Sequence, residues 1–88
     1  MPIRTGIVSA VREKPIHNGS RWHKHRQVVG MRYDVVIHIG MAPLYLFTKD
    51  PLLASWCKAK IGTEVTLHTA YEWWGERIVK VDLERVVA

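Results

Sequence analysis

The chain has 88 residues, a formal net charge of +5 and one cysteine. Nearly half of its residues are apolar, so the composition is that of one globular domain, residues 1–88, and not of a disordered chain. A single cysteine rules out an internal disulfide or a multi-cysteine zinc site, and no apolar run approaches the ~20 residues of a membrane span.

The opening Met1-Pro2-Ile3-Arg4 leads straight into a strand pattern and lacks the apolar core of a secretory signal, so a soluble cytoplasmic protein is expected. The first strand is predicted from Ile3 to Val11, where β-branched residues partly alternate. Gly6 inside it predicts a bulge or bend that lets the strand curl round a barrel.

A long basic excursion follows, at about 12–32. Pro15 and the run Asn18-Gly19-Ser20 mark a turn within it, and Asn-Gly is a strong hairpin signal. Residues 1–44 carry seven Lys/Arg against two acids, whereas residues 45–88 carry six of each, so the whole positive excess lies in the first half. In the excursion Arg12, Lys14, Arg21, Lys24, Arg26 and Arg32 stand near one acid, Glu13. Charge this one-sided speaks about partners, and a polyanion such as nucleic acid is the natural one. The plainer alternative is a solvated loop that aids solubility.

The second strand is predicted from Met31 to Ile39, with Tyr33, Val35, Ile37 and Ile39 on one face. The third runs from Leu44 to Thr48, Leu44 and Leu46 pointing inward and Tyr45 and Phe47 outward. Asp50-Pro51 announces a short helix to about Ile61: Asp is a good N-cap and Pro suits the first helical position. Leu52, Leu53, Trp56, Cys57 and Ala59 form its apolar stripe, and Cys57 reads as a small buried hydrophobe. The fourth strand is Glu64 to Glu72, and Trp73-Trp74-Gly75-Glu76 is a tight connection. The fifth is Arg77 to Leu83, with Val79, Val81 and Leu83 inward.

The expected fold is thus all-β, a barrel with one short helix, in the order β-β-β-α-β-β. That order resembles the OB (oligonucleotide/oligosaccharide-binding) superfamily across nearly the whole chain; a different small barrel, such as an SH3-like one, would not need the internal helix. The resemblance implies a ligand lying across the second and third strands, flanked by the loop between the first two strands and the turn between the last two. The first of those loops carries Arg12, Lys14, Arg21, Trp22, His23, Lys24, His25, Arg26 and Arg32. The outer side of the third strand carries Tyr45 and Phe47, and the last turn carries Trp73 and Trp74, followed by Arg77.

Cations that track phosphates and aromatic faces that stack bases suit a single strand, with little reading of base identity. Trp22, an aromatic inside a charged loop, is the foremost stacking candidate, with Tyr45, Phe47 and one of Trp73 and Trp74. The other tryptophan is expected to cap the barrel as core, as is Trp56. Tyr45 and Phe47 could instead pack under the long loop or in a dimer interface. His23 and His25 share a face of an extended segment and, with His17 near, could begin a metal site, but nothing beyond Glu13 completes a ligand set, so no metal and no cofactor are expected. The chain has no phosphate-binding glycine loop, no His-Glu-x-x-His, no Gly-x-Ser-x-Gly and no evident carboxylate pair, so it is expected not to be an enzyme.

The reading is therefore a non-catalytic binder of single-stranded DNA or RNA. The alternatives are a protein-interaction module, using the apolar segment Ile78 to Val87, and a subunit of a larger nucleic-acid complex whose loop orders on assembly. Self-association into a homo-oligomer is expected on size alone.

Overall fold

The computed structural model describes residues 2–18 and 27–81, with side chains at 2–17 and 29–81. Its elements are β1 (Ile3–Asn18), β2 (Gln27–Ile39), β3 (Ala42–Thr48), α1 (Pro51–Ala59), β4 (Glu64–Glu72) and β5 (Gly75–Val81). The strands close into a barrel in the order β1-β2-β3-β5-β4. All neighbours are antiparallel except β3 and β5, which run parallel and pair at two positions, Leu46 with Glu76 and Phe47 with Arg77.

β1 closes the barrel because it serves two partners in succession. Residues Ile3 to Ile7 pair with β4, and from Ile7 onward the strand pairs with β2. Gly6 stands at this changeover, where a Cβ would lie 2.6 Å from the His38 carbonyl oxygen. Close approach of two backbones is thus what the glycine permits. The irregularity itself lies a little further on, between Val8 and Ala10, with Ser9 the extra residue, its Oγ donating to the Val36 carbonyl at 3.2 Å. An inserted residue shifts the side-chain alternation by one. Val8 and Val11, three apart, consequently both turn inward.

The same device corrects the expectation for β5. His68 pairs with Lys80 but Thr69 pairs with Ile78, so Val79 is the extra residue. Ile78 and Val81 therefore both face the core, and Glu76 is drawn inward with them. Strict alternation from Val81 would have put Ile78 outside.

The core is Val8, Val35, Ile37, Leu46, Cys57, Val65, Leu67 and Ile78, with Val11, Leu44, Leu53, Trp56 and Val81 packed against it. Each buried Val, Leu or Ile contributes about 1.5–3 kcal/mol. α1 covers one end of this core. It starts where the sequence predicted, the Asp50 carboxylate accepting from the Leu52 N–H at 2.9 Å, and Ala54 and Cys57 are buried. Burial pushes the Cys57 thiol up to about 11. Trp56 is half-buried and lies beneath the Lys60 ammonium, but Leu52 and Ala59, expected in the apolar stripe, are exposed.

The largest departure from the sequence reading concerns the excursion at 12–32. Its described parts are strand: Arg12 to Asn18 continue β1, paired with Asp34 back to Gln27 of β2. Asp34 and Tyr33 still pair with β3, so the two-stranded arm that extends from the barrel begins at Lys14 opposite Arg32 and runs five residues to Asn18, roughly 16 Å at strand rise. Ladder bonds are made by backbone, so basic side chains do not prevent them. Among the described residues no helix is long and apolar enough to cross a membrane.

Candidate nucleic-acid interface

The outward face of β2 and β3 is set by register. Asp34 lies opposite Phe47, Val36 opposite Tyr45, and His38 opposite Pro43. Beyond the Ser9 bulge, Arg12 and Lys14 of β1 lie opposite Asp34 and Arg32 and join the same face. The turn at Trp73-Trp74 overhangs its other side. Both tryptophans have negative φ, and Gly75 takes φ +150°. A Cβ on Gly75 would touch the Phe47 ring at 3.3 Å, so the turn sits directly on that ring.

A cavity of about 150 Å³ forms where these parts meet, lined by Arg32, Asp34, Tyr45, Phe47 and Trp74 among others. Three stretches far apart in sequence are thus brought together: the root of the arm, β3 and the β4–β5 turn. Tyr45 is 70% exposed and Trp74 46% exposed at its rim.

Phe47 departs from the expectation. It does point outward, but it is only 1% exposed and no ligand can reach its face. The Arg32 guanidinium lies over the ring, 4.4 Å from its centroid, and Gly75 closes against its edge. The cover comes from Arg32 of β2 and from Gly75 at the β4–β5 turn.

Arg32 and Lys14 are not free cations either. Asp34 holds both, Oδ1 accepting from Arg32 Nε at 2.9 Å and Oδ2 lying 2.8 Å from Lys14 Nζ. Burial pushes the Asp34 carboxyl up, but the hydrogen bonds and charges of these two cations outweigh it and hold it below its usual range. Glu13, the acid the sequence placed near the cations, lies opposite Tyr33 on the other face of the arm. Arg12 is exposed and makes no ion pair among the described residues.

Two further expectations need correction. Trp73 and Trp74 are both on the surface, Trp73 at 91%, their rings edge to face at 5.0 Å; neither caps the core. Arg77 bonds Glu72 at 2.8 Å and lines a different depression, beside Thr48, Asp50 and Leu53, so it does not join the cavity. Arg21, Trp22, His23, Lys24, His25 and Arg26 lie outside the described residues. Among the described residues no three His, Cys, Asp or Glu side chains cluster as metal ligands.

Sequence reasoning missed a polar network at the barrel end. Arg4 faces inward and donates from Nε and Nη2 to the two Glu76 oxygens at 2.9 and 3.2 Å, and from Nη2 to the Tyr71 hydroxyl. The buried Thr69 hydroxyl also donates to Glu76. Glu76 is desolvated, which raises its pKa, but the bonds from Arg4 and Thr69 and the Arg4 charge prevail and hold it low. The Glu76 bond, ahead of desolvation, raises the Arg4 pKa. The signal was available: Arg4 shares the inward alternation of Gly6 and Val8, and a charge there requires a buried partner.

No protein-family model matches the chain, and no curated protein or solved structure matches it significantly.

Proposed function

We propose that the chain is an OB-type barrel that binds single-stranded nucleic acid across β2 and β3. The convergence of Arg32, Tyr45 and Trp74 on one cavity, with Arg12 and Lys14 continuing the same face along the arm, carries this reading. The strand order and the helix between β3 and β4 support the OB assignment. Aromatic surface at the cavity suits bases, and the cations beside it suit the backbone that joins them. The reading is non-catalytic, cytoplasmic and indifferent between DNA and RNA.

The test is a titration of intrinsic tryptophan fluorescence with oligo-dT and oligo-rU at low and at physiological salt. Quenching that weakens with salt is expected, and Trp74→Phe should remove more of it than Trp73→Phe. No spectral change at low salt would overturn the proposal.

A protein-interaction role is favoured by a different surface. Met41 is 98% exposed at the β2–β3 turn, and Ile39, Ile3 and Ile7 are exposed as well. Association through these side chains would persist at high salt, where phosphate-driven binding falls away.

A further inference from the structure

We infer that the base-stacking surface at the centre of this site is the guanidinium of Arg32, mounted on Phe47 and aimed by Asp34. The inference rests on the nucleic-acid reading above and specifies how it works.

Phe47 lies opposite Asp34 in the strand pair where stacking would be sought, yet its ring is sealed. The group that seals it is itself planar. A guanidinium stacks on an aromatic face on one side and can take a base on the other. Arg32 lies over the ring at 4.4 Å, and a third of its side chain remains exposed, at 36%. It lines the same cavity as Tyr45 and Trp74, and since Phe47 is only 1% exposed there, Arg32 offers an entering base the larger surface.

A free arginine would not hold such a pose, because its side chain has about 2 kcal/mol of rotamer entropy to lose. Here two contacts fix it. The ring supports one face, and Asp34 Oδ1 takes the Nε–H along the guanidinium edge. Lys14 occupies the other Asp34 oxygen and so keeps the carboxylate from turning away. Bonding through the edge leaves the outer face uncovered by Asp34. An acid in a phosphate-binding face is costly on charge alone, and its use is then geometric: Asp34 is a positioning residue.

Charge and plane can be separated by experiment. Affinities for labelled oligo-dT and for an abasic strand of equal length are measured by anisotropy, and their ratio reports base stacking. Arg32→Lys keeps the charge and removes the plane. It should leave the abasic affinity within about twofold and lower the ratio about five- to tenfold, the lower part of the range for one stacked base. Asp34→Ala removes the negative charge and the acceptor of the Arg32 Nε–H together, so abasic binding should tighten while the ratio falls.

An unchanged ratio in Arg32→Lys overturns the inference. So does a ratio in Asp34→Ala that holds steady while both affinities rise, which would make Asp34 a simple electrostatic brake. If Arg32→Lys does not fold, as read by its thermal melt, the Asp34→Ala arm decides. Wild-type protein that binds both strands equally removes the stacking element and leaves nucleic-acid binding standing. Wild-type protein that binds neither at low salt removes the functional reading itself.

Discussion

Replacing Glu76 by glutamine tests the network that joins β1, β4 and β5. The wild-type carboxylate accepts two bonds from Arg4 and one from Thr69. Glutamine keeps the shape and one acceptor oxygen, which can still take the Thr69 hydroxyl, but turns an amide N–H₂ toward a guanidinium that has only donors. Losing a hydrogen bond between charged groups costs about 1.5–3 kcal/mol. Arg4 keeps 29% of its side chain exposed, so water compensates it in part. A loss of about 2 kcal/mol at pH 7 is expected, or roughly 8–16 °C in Tm for a domain of this size.

The pH dependence identifies the cause. The folded pKa of Glu76 lies below its unfolded value of about 4.3. Its contribution is therefore complete above that value and is lost as pH falls through the folded pKa. Urea unfolding of both proteins should give a constant difference from about pH 5 to 8, shrinking below about pH 4. A deficit below about 0.5 kcal/mol at pH 7, or one that persists undiminished at pH 3, would refute the reasoning.

Gly6→Ala should destabilise by several kcal/mol or prevent folding, because the new Cβ meets backbone at 2.6 Å, and a circular-dichroism melt reads the outcome. Cys57 is buried with a thiol raised to about 11, so native protein should resist maleimide at pH 7 and label on unfolding; rapid native labelling would contradict its place on the buried face of α1. Arg12→Ala should lower the slope of log affinity against log salt for oligo-dT by about 0.7, one phosphate contact, with little change in stability. The same change in Arg77, bound to Glu72 away from the cavity, should leave that slope as it was.

Local signals were legible and distant ones were not. The helix start is fixed by two adjacent residues, Asp50 and Pro51, and the sequence placed it correctly. β4 alternates without interruption through its buried part, and its limits were read as they stand. β5 was misread because the bulge at Val79 depends on pairing with β4 and leaves no mark in β5 itself. Phe47 was assigned the right face and the wrong accessibility, since its cover comes from Arg32 and Gly75, 15 and 28 positions away. Asp34 looked like an ordinary polar strand residue until register brought Lys14 within 2.8 Å. The cations of the excursion were visible, but counting charge could not show that two of them share an acid.

The arm has an implication for how the protein behaves in a test tube. A closed barrel offers no bare strand edge, but a two-stranded ribbon that leaves it has one along each side. Such edges recruit further strands and seed aggregation unless something discourages them. Here β1 carries Arg12 at the root of the arm and Lys14 in it, with Pro15, which has no N–H to offer, next to Lys14. The residues proposed to meet a polyanion would thus also discourage copies of the chain from adding to one another's ribbons. Replacing the two cations together should yield a protein that precipitates, and a polyanion that masks them should have the same effect at high protein concentration.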